Sequence, residues 1–214
     1  PSFNADNRDK PGFISRRYPP LTAAEIRQLD SRWQAELRSL LALDEAVERI
    51  VARLEAVDEL ENTLVVFTSD NGFFHGQHRI PFGKYLPYEP SLRVPLLMTG
   101  PMVPPARRGT EVDEPVVNVD LAPTILDYAG TPALRTPDGR SLRPLLEEDE
   151  PVWSAGGGPW SPGTSRVRPA YVMGVGGSSR NYPHITYSGV RSGDGWLYIA
   201  WEDPAAATGV YDLD

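Results

Sequence analysis

The run Leu64-Val65-Val66-Phe67-Thr68 has strand composition and ends in Ser69-Asp70-Asn71-Gly72. A carboxylate and a carboxamide therefore leave the same strand end side by side. In open α/β sheets, functional groups collect just beyond the carboxyl ends of the strands. A hard cation such as Ca2+ takes carboxylate and amide oxygens together, and a glycine directly behind them lets the chain turn. On spacing alone a strand-end turn explains the trio at least as well, because Asp, Asn and Gly cluster in turns for local hydrogen-bonding reasons. The next residues add charge: between His75 and Arg93 stand Arg79, Lys84, Glu89 and Arg93, a small positive island in a chain of net charge -8. Such an island suits a sulfate or phosphate group.

Taken in order, Ser69-Asp70-Asn71-Gly72, Gly76-Gln77-His78, Lys84, Tyr88-Glu89 and Arg93-Val94-Pro95 resemble the motif series of the sulfatase family. The resemblance is strongest from Thr63 to Pro101. With the preceding helical pattern and Val119 to Asp127, it points to the branch containing N-acetylglucosamine-6-sulfatase. It implies that Asp70 and Asn71 are metal ligands, for Ca2+ rather than Mg2+. It also implies that Lys84 binds the sulfate oxygens and is catalytic, since a fixed cation stabilises the charge that builds on the ester oxygen as the S–O bond breaks. His78 is a second catalytic candidate, although a lone histidine is more often a packing or hydrogen-bonding group. Arg79 is a substrate-binding candidate against the plainer reading of a solvated side chain. His75 matches a position that varies, and Glu89 and Arg93 are expected to order the loop by pairing.

The same resemblance says what this chain does not carry. Sulfatases use a formylglycine made from the first residue of Cys/Ser-x-Pro-Ser-Arg. There is no cysteine here, and Ser161-Pro162-Gly163-Thr164-Ser165-Arg166 lacks a proline two places before its arginine. Two side chains cannot complete the roughly six to eight oxygens of a Ca2+ shell. The family's Asp-Asp pair, its nucleophile and a further lysine and histidine all precede this region. The chain is thus expected to be the carboxyl-terminal part of a sulfatase, trimmed at both ends and inactive alone, with an upstream part of the same domain as its partner. The expected substrate is a sulfated carbohydrate or a small organic sulfate. The rivals are a phosphodiesterase or phosphonate hydrolase of the same superfamily, which more often pairs Asp with His at these positions, and a non-catalytic remnant.

The elements that must position these groups can be read from pattern. Thr22 and Glu25 form a capping box, and Ile26, Leu29, Trp33, Leu37, Leu40, Val47, Ile50, Leu54 and Val57 recur at helical spacing. Asp44 falls within that apolar stripe and is expected to find a hydrogen-bond partner or to face an opening. Residues Pro1 to Pro20 read as a loop or an ordered surface connection. Buried strands are expected at Thr63 to Ser69 and Arg93 to Thr99, and a helix at Asp120 to Tyr128 ending at Gly130.

The fold class is read as α/β, and the resemblance implies that residues 1–146 form part of an alkaline-phosphatase-like, mainly parallel sheet flanked by helices. Residues 147–168 form a Gly/Pro/Ser-rich linker. Residues 169–214 form a small antiparallel subdomain, truncated at its end, with β runs at Ala170–Val175, Thr186–Arg191, Trp196–Trp201 and Gly209–Leu213 and a turn at Ser192-Gly193-Asp194-Gly195. Trp196, Tyr198 and Trp201 are read as core rather than as a sugar platform, and His184 has no local feature that makes it a ligand.

Composition narrows the function classes. With 21 basic against 29 acidic residues, the long-range field repels polyanions and argues against nucleic acid or anionic membrane as partner. No window reaches the roughly 20 apolar residues of a membrane span. The start at Pro1 carries neither an initiator methionine nor a signal-peptide core, so extracytoplasmic and cytoplasmic locations both stay open.

Overall fold

A computed structural model describes residues 2–148, 170–176, 185–192, 195–201 and 209–212. The capping box forms as expected: Thr22 Oγ1 accepts from the Glu25 N–H at 3.3 Å and the Glu25 carboxylate accepts from the Thr22 N–H at 2.8 Å. It starts a single long helix, Ala23–Ala56, preceded by the one-turn helix Gly12–Ser15; these are α2 and α1. Only Leu29 of the α2 stripe is buried, whereas Trp33, Leu37, Leu40, Val47, Ile50 and Val57 are exposed. Asp44 is exposed with them, so of the two expected outcomes it faces an opening to solvent rather than a buried partner.

The strand run condenses to β1, Val65–Thr68, and the second to β2, Leu96–Thr99. They pair antiparallel with Val65 opposite Thr99 and Thr68 opposite Leu96. The picture of Asp70 at the end of a buried parallel strand is corrected on both points. The connecting loop folds on itself, with Gly72 N–H bonded to the Ser91 carbonyl and Phe74 N–H to the Gly83 carbonyl, so the chain returns along β1 in the opposite direction. Both strands are only half covered, with Phe67 and Leu97 exposed, and no parallel pairing occurs among the described residues. Between them α3, Glu89–Leu92, is a single turn. Downstream, α4 is Leu121–Tyr128 and α5 is Arg143–Glu147. The buried Asp120 joins them: its carboxylate accepts from the N–H groups of Val117 and Arg140 at 2.9 and 2.8 Å.

The carboxyl-terminal sheet is a four-stranded antiparallel meander of β3 Ala170–Gly176, β4 Ile185–Arg191, β5 Trp196–Trp201 and β6 Gly209–Asp212. Along β5 the side chains alternate, as the two-residue period of a strand requires. Leu197, Ile199 and Trp201 face inward, while Trp196 and Tyr198 are exposed, so of the three aromatics read as core only Trp201 is. Its ring meets Phe13 edge-on at 5.1 Å. The inward residues share one core with Ile14, Phe74, Ile80, Leu86, Tyr88 and Tyr187. That core joins the sheet to α1 and to the loop between β1 and β2. The region expected to be linker is described only as far as the end of α5 and Glu148; the rest of it, with Ser161–Arg166 and His184, lies outside the described residues.

The amino-terminal segment is an ordered connection rather than a loose loop. Asn4 N–H donates to the Gly76 carbonyl and His78 N–H to the Ser2 carbonyl, each at 2.8 Å. The buried Asn7 donates to the carbonyls of Tyr18 and His78 at 2.9 and 3.2 Å. These bonds strap residues 2–18 across the loop that carries His78 and Arg79.

Candidate functional site

Asp70 leaves the end of β1 with 81% of its side chain exposed, and Lys84 Nζ stands 3.8 Å from its Oδ2 with the lysine side chain 41% exposed. The two charged groups predicted to meet are therefore on one side of the loop. An exposed pair of this kind contributes at most about 1 kcal/mol to stability, so it is not what holds the loop. Both groups remain open to a ligand. Asn71 is half-buried, and its amide nitrogen donates to the Gly72 carbonyl at 2.9 Å. That bond fixes the amide orientation and leaves the oxygen as the end that could face a cation.

Gly72 has a different reason from the one its sequence context suggests. Its φ is not in the positive region. Instead a Cβ there would lie 2.1 Å from the Pro90 carbonyl oxygen and 3.1 Å from that of Arg93. The Gly72 N–H donates to the Ser91 carbonyl at 2.8 Å. Glycine is needed so that α3 can lie directly against the turn bearing Asp70 and Asn71.

Beyond Gly72 the loop is held by its own turns and by the strap. Gly76, His78 and Arg79 all have positive φ, of 97°, 52° and 65°. The left-handed region is unfavourable for His and Arg, and the strap bonds to His78 N–H and to the His78 carbonyl offset it. The His78 ring sits against Tyr88 with centroids 5.4 Å apart. Burial, with the nearby Lys10 charge, pulls its pKa below the ordinary 6.5, which keeps the imidazole neutral near pH 7. Arg79 is not solvated: its guanidinium donates to Asn7 Oδ1 at 3.4 Å and lies 3.7 Å from Asp6. His75 is directed away to α2, with Nε2 3.5 Å from Glu36 and its ring 4.6 Å from Trp33.

Glu89 does not pair with Arg93. It takes Arg191 of β4, with Nε at 2.8 Å and Nη2 at 3.4 Å from its two oxygens, while Arg93 is exposed. The correct partner lies 102 residues away, and no local pattern announces it. Sequence reasoning also passed over Asn7, Lys10, Ser91 and Tyr187. Ser91 Oγ donates to the Lys84 carbonyl at 2.7 Å, seven positions on and across an irregular segment, and no local pattern announces that bond.

As a metal centre the donors fit in kind but not in number. Asp70 and Asn71 offer the hard oxygens that Ca2+ prefers. Among the described residues no group of three or more His, Cys, Asp or Glu side chains is placed to hold an ion. These residues could supply two oxygen ligands toward a cation, with the Lys84 ammonium beside Asp70.

Comparison with known proteins bears on the same region. N-acetylglucosamine-6-sulfatase of Homo sapiens is 40% identical over 146 residues, 68% of this chain and 26% of the human protein. N-acetylglucosamine-6-O-sulfatase of Bacteroides thetaiotaomicron is 42% identical over 113 residues, 53% of this chain and 20% of that protein. The chain thus spans about a quarter of the human relative's length. A solved protein in complex with its substrate D-glucosamine-2-N,6-O-disulfate superposes with a TM-score of 0.62 at 30% identity, covering 81% of this chain and 32% of that one. A 2-O glycosaminoglycan sulfatase shares the fold at a TM-score of 0.55. The architecture is accordingly the α/β fold of sulfatases. The Sulfatase family model matches residues 4–131, a span that contains most of the strap, α2, the Asp70-Asn71 turn and Lys84, and the chain belongs to the sulfatase family.

Proposed function

We propose that this chain is the part of a sulfuric-ester hydrolase that supplies half of the metal site and the sulfate-binding cation. The observation that carries the reading is the approach of the Lys84 ammonium to Asp70, next to Asn71 at the end of β1. Asp70 and Asn71 would hold Ca2+, whose contribution when bound is positive charge at the sulfate oxygens. Lys84 adds a second cation opposite the ester oxygen on which charge accumulates as the S–O bond breaks. His78, half-buried against Tyr88, orders the loop in this reading, and so does Arg79 through Asn7 and Asp6. The formylglycine nucleophile and the remaining metal ligands come from an upstream segment, because no Cys/Ser-x-Pro-Ser-Arg occurs in these 214 residues. A sulfated amino sugar is the favoured substrate class, supported by the relatives' activities and by the disulfated glucosamine bound in the structural neighbour.

The test uses two proteins: the chain alone, and the chain preceded by its upstream segment with the motif converted to formylglycine. Each is assayed with glucosamine-6-sulfate and an aryl sulfate in the presence of Ca2+. Turnover is expected only from the second. Turnover from the chain alone would place a nucleophile within it, and an inactive second protein would remove the sulfatase reading.

A further inference from the structure

Three consecutive carbonyls, those of Gly83, Lys84 and Tyr85, accept hydrogen bonds from three different parts of the chain. The Phe74 N–H donates to Gly83 at 2.9 Å, Ser91 Oγ to Lys84 at 2.7 Å, and Tyr187 Oη to Tyr85 at 3.1 Å. Residues 81–88 have no helix or strand of their own, so ordinary ladder bonds do not hold this backbone. Just beyond, Arg191 grips Glu89 at the start of α3, the turn that also carries Ser91. Tyr187 and Arg191 are four residues apart on β4 and therefore on one face of that strand. The carboxyl-terminal sheet thus reaches the segment that follows Lys84 through the Tyr187 phenol at Tyr85 and the Arg191 guanidinium at Glu89.

We infer that Tyr187 and Arg191 are positioning residues for Lys84, fixing the irregular segment from which its ammonium projects. A lysine ammonium is a point charge on a flexible stem, so its placement depends on how firmly its backbone is rooted. A misplacement of about 1 Å can cost on the order of a hundredfold in rate. Burial pushes the Tyr187 phenol up to about 12, which keeps its proton available to the Tyr85 carbonyl across the neutral range. This inference rests on the reading of Lys84 as the sulfate-binding cation.

The experiment compares Tyr187→Phe and Arg191→Met in the complete protein, each with and without Lys84→Ala. Glucosamine-6-sulfate is the substrate, and hydrogen exchange of residues 81–92 is followed in parallel. With Lys84 present, kcat is expected to fall about tenfold while KM moves less than about twofold, and Arg191→Lys should recover part of the loss. In the Lys84→Ala background the same substitutions should change kcat/KM by less than about twofold, since nothing remains to position. Exchange of residues 81–92 should quicken about tenfold. An equal loss with and without Lys84, or unchanged exchange, would overturn the inference. Should the complete protein turn over no sulfate ester at all, the functional reading falls, and the positioning role is decided by the exchange result alone.

Discussion

At the scale of single residues, Lys84 is the group on which the proposed chemistry depends most. Its partner Asp70 is four-fifths exposed, so removing the lysine should leave stability nearly untouched, within about 0.5 kcal/mol. Lys84→Ala should nevertheless lower kcat of the complete protein by about a hundredfold or more, as loss of a transition-state charge partner does. Steady-state kinetics beside a urea titration separate the two effects. His78 makes the opposite kind of contribution. Its pKa is lowered in the folded chain, so the unfolded chain binds the proton more readily. The stability this confers is complete above the ordinary pKa of 6.5 and is lost as pH falls through the lowered folded value. Urea midpoints measured from about pH 7.5 down to about pH 5 should fall more steeply for the wild type than for His78→Gln; parallel curves would show that the imidazole is not shielded. The place of Asp70 and Asn71 at the end of a strand was legible because it is set by local composition, whereas their reading as a site with Lys84 came from the family resemblance. Arg79 was not legible, because what engages its guanidinium, Asn7, stands 72 positions earlier in the chain.

At the scale of elements, the turn and α3 form one unit because Gly72 admits the Pro90 carbonyl. Gly72→Ala must push α3 away from the turn, since the obstructing atom is backbone and cannot rotate aside. The expected cost is about 1 to 3 kcal/mol, the range for forcing extra volume into a packed contact, read as a lower urea midpoint. An unchanged midpoint would show that α3 moves freely. The capping box of α2, the extent of β5 and the helix ending at Gly130 could be read from sequence because each is set by residues a few positions apart. The antiparallel pairing of β1 with β2 and the Glu89–Arg191 pair could not, because each depends on where distant segments return.

At the scale of the whole molecule, the apolar residues left uncovered are as informative as the core. Trp33, Leu37, Leu40, Leu41, Val47 and Ile50 of α2 are exposed, as are Phe67 and Leu97 on the strand pair. Patches of this kind mark surfaces that another body covers. The chain alone should bind the dye ANS strongly and self-associate in sedimentation, and joining it to the upstream segment should suppress both. A chain that stays monomeric and dark with ANS would show that these faces need no cover.

The central claim is that Asp70 and Asn71 hold the cation that works beside Lys84. Activity of the complete protein titrated with Ca2+, wild type against Asp70→Ala, tests it directly. A saturable rise with Ca2+ is expected for the wild type. In the variant turnover should fall at least about a hundredfold with no saturable Ca2+ dependence, because the neutral amide of Asn71 cannot replace the lost carboxylate charge. Wild-type turnover with the same Ca2+ dependence in Asp70→Ala would contradict the account and leave Asp70 a turn residue at the end of a strand.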